Sequence, residues 1–142
     1  MIIKQLSIFL ENKTGRLNEV SKLLGEAGIN MSAFSIADTS EFGILRLIVS
    51  DPDKALDVLK KAEFSVRLTD VVCLNSPNVP GALGKALDIL ASEEVFIEYL
   101  YAFSMNNESA NIVLKPGNID RCIQVLQDHK MELVRASDLY KL

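Results

Sequence analysis

Asn12-Lys13-Thr14-Gly15-Arg16-Leu17 opens an apolar-periodic stretch, and 66 residues later Asn78-Val79-Pro80-Gly81-Ala82-Leu83 opens another. Asparagine falls on asparagine and glycine on glycine. The echo continues downstream. Asp53-Lys54-Ala55-Leu56-Asp57-Val58-Leu59 lines up with Asp120-Arg121-Cys122-Ile123-Gln124-Val125-Leu126, and Val66-Arg67-Leu68-Thr69-Asp70-Val71 lines up with Val134-Arg135-Ala136-Ser137-Asp138-Leu139. A repeat at this spacing means one supersecondary unit used twice. The units are expected at residues 1–70 and 71–142, packed side by side. The seam between their equivalent surfaces is then a place for a small ligand.

The pattern on either side of each turn gives the unit its form. Before the first turn, Leu6, Ile8 and Leu10 alternate as in a half-buried strand. After it, Leu17, Val20, Leu23, Leu24 and Ala27 share a helical face, and Gly28 stands where a C-terminal cap belongs. Strands follow over 31–37 and 43–49, separated by a polar turn from Asp38 to Phe42. Pro52 suits the first turn of a second helix, whose inner face is Leu56, Leu59 and Ala62. Residues 64–74 are extended, closing one unit and opening the next. The second half predicts a helix over 83–91, strands over 95–103 and 110–114, and a polar turn from Ser104 to Ser109. A helix over 119–129 and a last strand over 132–136 complete it. Each half reads β-α-β-β-α-β, the ferredoxin-like α+β arrangement.

Composition narrows the function. The 142 residues are 49% hydrophobic and 24% charged, which is globular rather than disordered. A net charge of −4 argues against a protein that neutralises nucleic-acid phosphates. The sequence has neither an apolar run of membrane-spanning length nor a basic amphipathic segment for anionic lipid. The N-terminus has no signal-peptide layout, and the expected location is cytoplasmic. Cys73 and Cys122 lie inside apolar patterns without metal-ligand spacing, so buried free thiols are expected, with no metal and no cofactor.

Catalytic candidates are sparse. His129 stands at a helix end with no nucleophile or carboxylate beside it in sequence. Glu93-Glu94 are adjacent, so their carboxylates do not converge, and both read as solvated surface. Tyr99, Tyr101 and Phe103 share one side of a strand, as helix-facing core, inter-sheet packing or part of a seam. The glycine turns remain. Gly15 and Gly81 sit at strand-to-helix junctions, where the first helical N–H groups lack intrahelical partners. A residue without a side chain lets an anion approach those amides, and the helix dipole favours it. The carboxylate of a free amino acid suits such a site. A plain tight turn capped by Thr14 or Asn78 explains one such turn; two in register, each preceded by asparagine, set a ligand site beside that reading on equal terms.

With these marks in order, joined by Leu24-Gly25-Glu26-Ala27-Gly28-Ile29-Asn30-Met31, the sequence resembles a tandem ACT-domain protein. Glu11 to Asn30 resembles the regulatory domain of phosphoglycerate dehydrogenase. The resemblance implies binding of an amino acid between paired domains and the regulation of an enzyme. It assigns amino-acid contacts to Asn12 and Asn30. Two departures matter. Leu10 stands where that family has a histidine, and Glu94-Val95-Phe96 replaces Gly28-Ile29-Asn30 in the second half.

A helix of roughly 13 residues separates Gly15 from Asn30 by ~20 Å, so one small ligand cannot touch both within a unit. The expected sites therefore join two units. Asn78, Val79, Pro80, Gly81, Ala82 and Leu83 are expected to face Ile29, Asn30 and Met31. Asn12, Thr14, Gly15, Arg16 and Leu17 are expected to face Phe96 and Ile97. The expected protein is a stand-alone, non-catalytic regulator and a homodimer. The alternatives are an accessory subunit of a metabolic enzyme and a structural module without a ligand.

Overall fold

Alternation along β1 (Ile3–Glu11) puts Leu6, Ile8 and Leu10 on one face, and all three are buried. They meet α1 (Arg16–Glu26), which buries Val20 and Leu24 one turn apart. This is a computed structural model, and it describes residues 1–11, 13–38, 41–104 and 107–141. The expected turns at 38–42 and 104–109 lie partly outside the described residues, and Asn12 lies outside them entirely.

The chain divides into two compact units. The N-terminal unit comprises Lys4–Thr69 with the segment from Ser137 onward; the C-terminal unit comprises Asp70–Ala136 with Met1–Ile3. After α1 the N-terminal unit continues through β2 (Met31–Asp38), β3 (Phe42–Val49) and α2 (Pro52–Lys61) into β4 (Ser65–Pro77). Its strand order is β2-β3-β1-β4. Antiparallel register sets Leu6 opposite Leu47 and Ile8 opposite Leu45. These side chains, with Leu24, Ala55 and Leu59 from the helices, form a core on the helical side of the sheet.

The C-terminal unit repeats the plan with the second part of β4. It adds α3 (Ala82–Ser92), β5 (Ile97–Ser104), β6 (Ser109–Pro116), α4 (Ile119–Asp128) and β7 (Glu132–Leu133). Its order is β5-β6-β4-β7. Leu74, Leu90, Leu114, Cys122 and Leu126 lie in its core. Each unit is a ferredoxin-like α+β layer pair. Among the described residues no helix is long and apolar enough to cross a membrane.

The four long helices end alike. After α1, Ile29 N–H donates to the Leu24 carbonyl (2.9 Å) and Gly28 N–H to Gly25 (3.1 Å), the paired bonds of a Schellman ending. Three other helices end the same way, with Glu63, Glu94 and Lys130 in the left-handed position of Gly28. Glu94 and Phe96 therefore do occupy the structural places of Gly28 and Asn30.

The last strand departs from expectation. β7 is two residues long, and 136–140 form a short helix, α5 (Ala136–Tyr140). The matching segment, Val66 to Val71, lies within β4. Thr69 and Val71 are β-branched and suit a strand, whereas Ser137 and Asp138 suit a helix start. α5 fully buries Leu139, and the Lys4 N–H donates to the Tyr140 hydroxyl (2.8 Å).

Candidate ligand site at the glycine turns

Gly15 caps α1 with φ 92° and ψ −8°, and Gly81 caps α3 with φ 87° and ψ −11°. The left-handed region is cheap only for glycine, which accounts for glycine at both turns. Neither cap makes a side-chain hydrogen bond. The other two long helices are different. Asp51 accepts from Lys54 N–H at the start of α2, and Asn118 accepts from Arg121 N–H at the start of α4. Among the described residues neither the Thr14 hydroxyl nor the Asn78 amide caps these helices; glycine itself is the cap residue. Arg16 N–H reaches the Lys13 carbonyl (3.4 Å) and Ala82 N–H the Val79 carbonyl (3.2 Å). A methyl group built on Gly15 or Gly81 meets nothing within 4 Å, so both turns face open space.

The surroundings of the two turns differ. At the first, Arg16 pairs with Glu19 (3.2 Å) and lies 3.8 Å from Glu11, and Lys13 pairs with Glu11 (2.9 Å). The neighbouring cations, Lys13 foremost, hold the Glu11 carboxyl below its usual range. At the second, Val79, Pro80, Gly81 and Leu83 are exposed, Ala82 is half-buried, and the Asn78 N–H donates to the Glu108 carbonyl (3.0 Å). Leu17 and Leu83 take equivalent positions and are 49% and 38% exposed. Each turn thus carries an apolar neighbour beside its amides.

The residues beyond the helices lie apart from the turns of their own unit. α1 has 11 residues, so Gly15 and Asn30 are separated by about 16 Å along its axis, less than the expected ~20 Å but too far for one amino acid. Ile29 is buried in the core. Asn30 N–H donates to the Ser50 hydroxyl (3.0 Å), and the Asn30 carbonyl accepts from Ser50 N–H (2.9 Å). In the C-terminal unit the Phe96 carbonyl accepts from Gly117 N–H (2.9 Å), the Phe96 ring is 72% exposed, and Ile97 is half-buried.

One joining of expected site residues occurs inside the N-terminal unit. Leu17 and Met31 line an apolar cleft of about 300 Å³ between α1 and the edge strand β2, closed by Phe34 and Ile36. Phe34 and Ile36 are exposed and pair across the sheet with Leu47 and Leu45, which sets them on the helical face. Their position is not evident from simple alternation, because a bulge between Met31 and Ala33 shifts the pattern of β2.

The remaining candidates resolve into local roles. His129 caps the end of α4, 3.8 Å from Glu93, and Glu93 also takes Arg121 at 2.8 Å. Glu93 is thus part of an ion-pair cluster and not simply solvated. Tyr99, Tyr101 and Phe103 are half-buried on the sheet face away from the helices, since Leu100 lies opposite the core residue Leu114. Helix-facing packing is excluded for them. Both cysteines are free and buried, and burial pushes the Cys73 thiol up to about 12 and Cys122 to about 11. No cluster of three or more metal-ligating side chains occurs among the described residues.

The sequence matches the family described as an ACT domain pair over residues 1–142. Protein BT0572 from Bacteroides thetaiotaomicron is 58% identical, with a TM-score of 0.96 over 100% of this chain and 98% of that one. The regulatory subunit of aspartate kinase from Thermus thermophilus, in its ligand-free form, is 15% identical with a TM-score of 0.64 over 88% and 91% of the two chains. The corresponding subunit from Thermus flavus is also 15% identical, with a TM-score of 0.60 over 90% and 94%. These two show the fold alone. No match is found among curated proteins.

Proposed function

The chain belongs to the ACT domain pair family, and from that premise we propose that it is a regulatory protein whose effector is a free amino acid. Two ACT repeats, residues 1–70 and 71–142, supply equivalent carboxylate positions at the starts of α1 and α3. One observation carries the reading: both glycine caps leave their first-turn amides without a side-chain cap, whereas Asp51 and Asn118 cap the other two long helices. Leaving such amides to water is a small loss; offering them to a carboxylate gains up to ~2 kcal/mol from the dipole when the site is partly buried. The amino group and side chain are met by a second ACT unit, through a residue in the position of Asn30. That unit comes from this chain or from a second copy, because the length of α1 keeps Gly15 and Asn30 of one unit apart.

A second copy is favoured by the edge of the N-terminal sheet. β2 is the edge strand of the N-terminal sheet and carries the exposed Phe34 and Ile36, a combination that proteins normally cover. The role is regulatory and non-catalytic, in the cytoplasm, alone or as the accessory subunit of a metabolic enzyme. Thermal shift against the twenty amino acids tests the binding. A ligand at ~100 times its dissociation constant adds about 2.7 kcal/mol. A panel with no stabilisation by any amino acid leaves a structural module as the better reading, and a solution mass of 15.7 kDa by light scattering excludes the dimer.

A further inference from the structure

A second cleft, of about 330 Å³, opens at the end of the N-terminal unit where β1, β3 and the start of β4 meet. Phe9, Phe42 and Phe64 line it together with Arg16, Glu11 and Glu63. Phe9 and Phe42 are 40% and 47% exposed. The C-terminal unit provides an internal control. Phe42 lies opposite Glu11 as Ser109 lies opposite Pro77, so Ser109 takes the place of Phe42 and Asn75 that of Phe9. The matching helix endings put Lys130 in the place of Glu63 and Met131 in the place of Phe64, and Ala82 follows Gly81 where Arg16 follows Gly15. The same fold is thus completed without any of the three rings, the guanidinium or the carboxylate. Their presence in one copy is not a requirement of folding.

The charges define what the cleft accepts. Arg16 is engaged by Glu19 and Glu11, and Glu11 by Lys13. Glu63 is exposed and makes no ion pair among the described residues. Its left-handed backbone (φ 67°) belongs to the helix ending, since Lys130 shares it (φ 57°); the carboxylate is particular to this copy. The rings already lie against cations: the Arg16 guanidinium is 5.4 Å from the centroid of Phe64, and Arg67, outside the cleft, is 6.0 Å from that of Phe9. Aromatic faces beside an unneutralised carboxylate favour a positive group on an apolar body and disfavour an anion.

We propose that this cleft binds a small primary amine with an aromatic or branched apolar body, the ammonium on Glu63 and the body against Phe42 and Phe9. The site lies within one unit and shares Arg16 with the first glycine turn, but its preference for an amine does not rest on the amino-acid reading of that turn. The test is an amide-resolved NMR titration of the full chain with phenethylamine, with 3-phenylpropanoate as the matched anion. Phenethylamine is expected to give saturable shifts at Glu11, Glu63 and Ser65 in the low-millimolar range. Glu63→Gln and Phe42→Ala, both at exposed positions, are each expected to weaken it about two- to fivefold. Shifts that do not saturate, equal or tighter binding of 3-phenylpropanoate, or an unchanged affinity in either variant overturns the proposal.

Discussion

Gly81→Ala separates the two roles of the second turn, its backbone shape and its open face. Its φ of 87° lies in the left-handed region, where an L side chain costs roughly 1–2 kcal/mol. The added methyl meets no protein atom within 4 Å, so no packing gain or clash alters that figure. Three residues on, Gly84 lies inside α3 with equally open space around it. There alanine lowers the entropy of the unfolded chain, and Gly84→Ala is expected to stabilise by about 0.5–1 kcal/mol. The two variants add the same methyl and should differ in sign, by about 2 kcal/mol in all. For a chain of this length that is a gap of about 6–10 °C in Tm, read by calorimetry or urea unfolding. Calorimetric titration with the stabilising amino acid then reports the second role. Gly81→Ala should weaken binding with native circular dichroism, because its methyl projects where the carboxylate approaches, and Gly84→Ala should bind as the unmodified chain does. Stabilisation by Gly81→Ala, or full affinity in that variant, refutes the reasoning.

Asn30→Ala and Asn78→Ala should each weaken amino-acid binding more than Asn12→Ala, by calorimetric titration; Asn12→Ala as the most damaging of the three would reverse the assignment of partners. Asp51→Ala and Asn118→Ala remove real caps and should each cost about 1 kcal/mol in urea unfolding, while Thr14→Ala should be neutral. Both thiols should resist alkylation of the folded chain at pH 8, measured by mass, because the thiolate is the reactive form and burial keeps it from forming. Their ordinary pKa is 9.0 and their folded values are about 12 and about 11, so above pH 9 the unfolded chain releases protons that the folded chain retains. Stability contributed by these groups is therefore whole below pH 9 and lost as pH rises through about 11 for Cys122 and about 12 for Cys73, and Cys73→Ala should flatten that decline in pH-dependent unfolding.

Much of the fold is legible from spacing alone, because burial on one face imposes it. Leu6, Ile8 and Leu10 keep a period of two and reach the core, as do Val20 and Leu24 on α1. Legibility fails where local shape is imposed from elsewhere. Glu63, Glu94 and Lys130 end helices in a conformation that only Gly28 announces by its residue type. The bulge in β2 turns Phe34 and Ile36 toward the helices against simple alternation. Ala136 to Leu139 aligns with part of β4 in the repeat, yet its own residues start a helix that buries Leu139. At the candidate site the glycines are readable, since few residues tolerate their φ. The cleft of Phe9, Phe42 and Phe64 is not, because its rings come from three separate strands or turns with no shared motif.

The two units do not coincide with two stretches of polypeptide. β4 supplies residues 65–69 to one and 70–77 to the other, the N-terminal unit takes its last helix from the end of the chain, and the C-terminal unit takes Met1–Ile3 from its beginning. A duplication whose copies stay separable can be shuffled, lost or fused to a new partner one copy at a time. Here any single cut leaves a unit without its own parts: residues 1–70 lack Leu139, and residues 71–142 lack Ile3, both fully buried. Separating the copies therefore strips a buried side chain from each. Divergence between the copies, such as Phe96 for Asn30 or Ser109 for Phe42, is retained within one inherited module and does not require two genes.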